Sequence, residues 1–258
     1  MKKLLFTFAL GLFTTAISFA QNTTGQNIEA KYVCEMKLDY EETMKTIPQA
    51  YRAQVADVLK AEIANGIFID YNFRSNGKMS TFTIEQKVQN SQNQGGLIAQ
   101  QMATFDNKPT YKDFTSTPPM YYKEVDFGVK QVLIKDQIPD FKWKITREKT
   151  EINGYPVTKA EGVMLDTIKV NAWFAPSLPF KDGPYSLAGL PGLIVKAEFE
   201  MNHTLMTYTL KELNISDKEL KVTLPTKGEV MTEKQYLAFV QDFQKKMKEM
   251  MSQGVDTN

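Results

Sequence analysis

Histidine and cysteine each occur once in the 258 residues, as His203 and Cys34, and tryptophan only twice. A single histidine excludes any metal site built on two imidazoles. It also leaves a Ser-His-Asp triad only His203, in Asn202-His203, a pair that reads as a hairpin turn. A single cysteine excludes an internal disulfide, so stability has to come from an apolar core, which a chain this long can supply. Ser186 sits in Pro184-Tyr185-Ser186-Leu187-Ala188, without the flanking glycines of a nucleophile elbow. Gly189 and Gly192 do not extend to a phosphate-cradling pattern. Neither sign of charge is in excess: 31 basic residues stand against 30 acidic ones, so there is no electrostatic footprint for nucleic acid. No metal site and no cofactor is expected, and no catalytic residue is singled out.

What is present begins with a leader. Residues 1–20 carry Lys2 and Lys3, an apolar run from Leu4 to Phe19 broken only by Gly, Thr and Ser, and small residues at Ser18 and Ala20. This is the pattern of a secretory signal peptide cut between Ala20 and Gln21, and the run is shorter than the roughly 20 residues of a spanning helix. Cys34 lies well past it, behind Lys31-Tyr32-Val33, so it is misplaced for lipidation. The expectation is an exported chain, periplasmic or extracellular, soluble, not a lipoprotein, with no transmembrane segment once mature. Losing Lys2 and Lys3 leaves 29 basic residues against 30 acidic, a net of −1. Residues 21–258 are expected to form one domain, since all-β domains often run to about 200–250 residues.

From Ile28 to Tyr40 every even position is apolar or small, the period of a half-buried strand, and it points Cys34 into the core as a small hydrophobe. Tyr51, Val55, Val58, Leu59 and Ile63 then recur at helical spacing up to Asn65-Gly66. Ile67 to Arg74 alternates, and Asn76-Gly77 predicts a two-residue hairpin turn before a return strand over Met79–Gln86. Gln86 to Gln101, rich in Gln, Asn and Ser, reads as a loop. From Thr110 to Asp166 short β-prone runs are punctuated by Pro118-Pro119, Gly128, Pro139 and Asn153-Gly154, the rhythm of an antiparallel meander. At the C-terminus, Thr232 and Gln235 form a capping box, and Tyr236, Phe239, Val240, Phe243, Met247 and Met250 share one helix face.

The most constrained stretch is Gly183–Glu200, GPYSLAGLPGLIVKAEFE. Leu190 to Leu193 places Pro191 and Gly192 where a type II turn wants them, with positive φ at Gly192. Leu193, Val195, Ala197 and Phe199 then alternate as a core strand. Gly189-Leu190-Pro191-Gly192-Leu193-Ile194 resembles the naming motif of the GLPGLI family, exported proteins known chiefly from Bacteroidetes and functionally uncharacterised as a group. The resemblance extends from about Phe141 to Phe199, through Trp143-Lys144-Ile145, Ile152-Asn153-Gly154-Tyr155, Ala172-Trp173-Phe174, Leu178-Pro179 and Gly183-Pro184-Tyr185. Many relatives have Cys where Val157 stands and Gly-Arg near Leu165 and Asp166. The resemblance implies a secreted β-rich fold and no reaction.

The expected fold is mainly β: a curved antiparallel sheet, half-barrel or bowl, with one helix in the N-terminal half and an amphipathic C-terminal helix packed on it. The expected function is that of a ligand-binding or carrier module of the cell envelope, not an enzyme, taking an apolar, peptide or glycan ligand. Trp173, Phe174, Phe180, Asp182 and Tyr185 are its candidate binding residues, around a turn formed by Gly183, Pro184 and Gly189–Ile194. Two alternatives stand beside it. One is an accessory subunit of an outer-membrane assembly, with an outer-membrane protein as partner. The other is an acid-based extracytoplasmic hydrolase, for which Asp182 is the carboxylate to inspect.

Overall fold

The computed structural model describes residues 27–85, 96–128 and 130–253; the signal-peptide reading and the stretch 86–95 lie outside them. Among the described residues the chain forms twelve strands and four helices. The strands are β1 (Asn27–Leu38), β2 (Ile67–Ser75), β3 (Met79–Ile84), β4 (Thr110–Asp113), β5 (Met120–Asp126) and β6 (Gln131–Gln137). They continue with β7 (Lys144–Ile152), β8 (Tyr155–Met164), β9 (Ile168–Ala175), β10 (Leu193–Met201), β11 (Thr204–Ser216) and β12 (Glu229–Met231). The helices are α1 (Tyr40–Thr46), α2 (Gln49–Asn65), α3 (Leu97–Phe105) and α4 (Glu233–Gln253).

All twelve strands join one open sheet in the order β12-β6-β5-β4-β3-β2-β1-β11-β10-β9-β8-β7. Every pairing is antiparallel except β12 with β6, so the sheet is mixed rather than wholly antiparallel. Alternation decides its faces. In β1 the residues Ile28, Ala30, Tyr32, Cys34 and Met36 are buried, as are Ile67, Ile69, Tyr71 and Phe73 in β2. Their partners on β8 to β11 complete one apolar core on one face of the sheet. Its centre is aromatic: Tyr71 stacks on Phe82 at 4.6 Å, and Tyr32 meets Phe73 and Phe82 edge-on at 6.0 and 5.9 Å. Opposite Lys31 and Tyr32 the β11 strand carries one extra residue, Lys211, a bulge in the pairing of the two strands.

The expected helix after Pro48 is α2, closed by Gly66 at φ +79. Asp39 ends β1 and caps α1, its carboxylate accepting from the Glu42 N–H at 3.0 Å. This short helix is not visible in the hydrophobic pattern. The loop expected through Gln101 is helical from Leu97, because the Glu62 carboxylate accepts from the Leu97 and Ile98 N–H groups and supplies the N-terminal cap from outside the segment. The β2–β3 turn also differs. Only Gly77 takes positive φ, while the Asn76 side chain accepts from the N–H groups of Lys78 and Met79. Asn202 and His203 do adopt the left-handed pair of a two-residue turn, at φ 51 and 59. No helix among the described residues is long and apolar enough to cross a membrane.

Candidate functional site

The segment between β9 and β10 lies over the core face of the sheet, and local backbone demands shape it. Gly192 is not at positive φ, which corrects the type II turn: the left-handed glycine is Gly189, at φ +94. Gly192 N–H instead donates to Leu190 O at 2.9 Å, and Leu193 N–H reaches Leu178 O at 2.8 Å. Glycine is required at 192 for closeness: a Cβ there would stand 2.3 Å from Ala175 O. At Gly183 a Cβ would stand 2.7 Å from Ile194 Cβ. The motif is therefore a packing device, in which the segment's two ends press together without side chains between them.

One cation holds the segment. Lys112 on β4 is fully buried, and its Nζ donates to Gly183 O at 2.6 Å and Leu187 O at 3.1 Å while pairing with Asp182 Oδ1 at 2.5 Å. Asp182 Oδ1 also accepts from the Gly183 N–H at 2.8 Å; its Oδ2 is buried with no hydrogen-bond partner in the chain. Burial lowers the Lys112 pKa, and the Asp182 charge opposes that shift. A further bond pins the segment, with Trp143 Nε1–H donating to Ala188 O at 2.8 Å, and Tyr32 Oη–H donates to Ile194 O at 2.8 Å where β10 begins.

The candidate residues separate into two faces. Phe174 and Phe180 are core, at 3% and 5% exposure. Gly183, Pro184, Leu190, Leu193 and Ile194 are buried with them, while Gly189 and Pro191 are exposed. Asp182 faces Lys112 rather than a second acid. Tyr185 takes φ +52 and is half-buried, with the Lys123 ammonium 5.6 Å from its ring; burial raises its pKa. Trp173 faces the other way. Its neighbours Ala172 and Phe174 point into the core, so the indole lies on the outward side of β9, where register sets Lys159 and Lys196 opposite it. Their ammonium groups stand 5.7 and 4.8 Å from the ring centroid.

Around Trp173 the charged side chains lie along the sheet. Lys196 pairs with Glu198 at 2.7 Å, and Lys159 lies 3.4 Å from Glu148 and 4.0 Å from Glu161. Lys159 is only 20% exposed and Lys196 28%, low for surface lysines. Asn171 lies between Glu161 and Glu198 in the adjoining row. Sequence reasoning named Trp173 but not its lysines, because their cross-strand register is set by the β8–β9 turn and by the long segment between β9 and β10. It missed Lys112 entirely, since a lysine in Thr110–Asp113 carries no local sign of a partner 70 residues away.

Cys34 is buried and its thiol is pushed up to about 12 by burial. Among the described residues no cluster of three or more His, Cys, Asp or Glu side chains gathers to hold a metal.

A family model described as a protein of unknown function (Porph_ging) matches residues 161–196, which run from β8 through the Lys112-bound segment into β10. No curated protein matches the chain. Among solved structures, the chain is similar to PNGF-II in two crystal forms, at 17% and 15% identity and TM-scores of 0.45 and 0.48. Those matches cover 76% and 83% of this chain and 29% and 32% of the PNGF-II chains, so it spans about a third of their length. It is also similar to a putative outer membrane lipoprotein-sorting protein domain from Vibrio parahaemolyticus, at 8% identity and a TM-score of 0.32. That match covers 76% of this chain and 87% of the other.

Proposed function

We propose that the chain is an exported relative of the GLPGLI family, one domain over residues 21–258, acting in the cell envelope as a binding module. The ligand it takes on the outward face of its sheet is a glycan. The observation that carries this reading is the row Lys159–Trp173–Lys196 across β8, β9 and β10. The indole, half-buried on the outward side of β9 with part of it packed against the core, offers a flat apolar surface, and the groups around it both donate and accept hydrogen bonds. A sugar ring presents the same combination: an apolar C–H face edged by hydroxyls. The core face favours no such ligand, because the buried aromatic side chains and the Lys112-bound segment occupy it. Export is supported by Lys2, Lys3 and the apolar run that follows.

The test is binding of the mature protein to a saccharide array, followed by titration of the best hit against wild type and Trp173→Leu, which keeps an apolar cover over the sheet. The expected outcome is a loss of affinity of about tenfold or more with the melting temperature nearly unchanged. No retained saccharide, or equal affinity for the variant, sinks the reading.

A further inference from the structure

An open hollow of about 570 Å³ lies on β11, β1, β2 and β3, within the size range of ligand sites. Glu29, Lys31, Asn72, Arg74, Thr83, Glu212 and Asn214 line it. Ala30, Phe73 and Leu213 also border it, but their side chains pack in or against the core, so what they offer is backbone. The hollow is thus on the same outward face as Trp173. In register, Trp173 continues through Lys196 and Thr209 to Val33, and Lys31 is two residues along β1. Three strand spacings and two residues make the separation about 16 Å.

The lining narrows the ligand chemistry. Glu29 pairs with Arg74 at 3.0 Å, Lys31 bonds Glu85 at 3.1 Å, and Lys31 stands opposite Glu212. The two cations and two carboxylates that line the hollow cancel, so a charged ligand gains no net attraction there. Apolar side chains do not project into it, so it has nothing to hold the apolar side chains of a peptide. Amide, hydroxyl, guanidinium and carboxylate groups remain, a set matched to uncharged hydroxyls.

Resting on the reading of Trp173 as a sugar platform, we infer that the hollow is a second subsite for the same ligand. The ligand is then an uncharged oligosaccharide lying across the strands, longer than one or two sugar rings. Linking two subsites through one ligand raises affinity without any change at either.

The experiment titrates the mature protein with the monosaccharide, disaccharide and hexasaccharide of the best neutral array hit. The hexasaccharide is expected to bind about tenfold or more tighter than the disaccharide. The double variant Asn72→Ala, Arg74→Ala is expected to bring the hexasaccharide down to disaccharide affinity, with circular dichroism confirming the fold. Trp173-dependent binding that is independent of length overturns the second subsite and leaves the platform reading intact. A preference for anionic saccharides overturns the uncharged class, and absence of any saccharide binding overturns both readings.

Discussion

Lys112 and Asp182 form a fully desolvated ion pair, and such a pair is a poor source of net stability but an expensive thing to break. Its value here is positional, because the same ammonium also satisfies two carbonyls of the segment between β9 and β10. Removing the cation leaves the Asp182 carboxylate buried without a counter-charge, its Oδ2 already lacking a partner. Lys112→Met is therefore expected to destabilise by about 3–5 kcal/mol. Adding Asp182→Asn to it should recover part of that loss, since the orphaned charge disappears while the carbonyls of Gly183 and Leu187 stay unpaired. Chemical denaturation of the two single variants and the double variant measures the cycle. A loss for the double variant equal to the sum of the two single losses would mean that the pair carries no coupling and that each group is held by its other contacts.

At the scale of elements, the C-terminal helix is joined to the sheet through a few identifiable groups. Phe127 meets Tyr236, Phe239 and Phe243 with ring centroids at 6.2, 5.1 and 5.6 Å, and Lys130 lies 4.9 Å over the Phe239 ring. Below this cluster, Tyr121 Oη–H donates to Glu233 Oε2 at 2.9 Å, and the Glu233 N–H donates to Asp136 Oδ2 at 2.9 Å. Phe127→Ala is expected to cost about 2 kcal/mol, below the range for a fully buried phenylalanine because this ring is half-buried. Hydrogen exchange should show α4 losing protection while β1, β2 and β11 keep theirs; uniform loss would mean that the helix does not open separately. Burial raises the pKa of Glu233 above its ordinary 4.5. Between 4.5 and the raised value, the docked helix therefore binds more proton than the free one. This contribution is fully present below about 4.5 and is lost as pH rises through the docked value, so α4 protection should be higher at mildly acidic pH.

At the scale of the whole molecule, what the sequence revealed and what it hid follow from range. The β1 strand, the β10–β11 hairpin, α2 and α4 were legible because their burial is periodic or their ends carry Gly66, Asn202-His203 or the Thr232–Gln235 box. Lys112, the cap that Glu62 gives α3, and the parallel pairing of β12 were hidden, because each depends on a partner far along the chain. That last pairing bears on the open sheet, which has two edges. At one, β7 carries Lys144, Arg147, Glu148, Lys149 and Glu151 and a register break between Ile145 and Lys149, features that discourage another strand from adding. The other is different underneath. β6 buries Val132, Leu133 and Ile134 in succession, an apolar strand paired at its edge, among the described residues, with the three residues of β12 and covered at its side by α4. A chain ending at Gly228 is expected to keep its sheet, by far-ultraviolet circular dichroism, yet form dimers or larger species at concentrations where the full chain does not. Size-exclusion chromatography with light scattering decides it. Equal mass per particle for both chains would show that β6 is blunted by its own side chains, with β12 and α4 serving some end other than covering that edge.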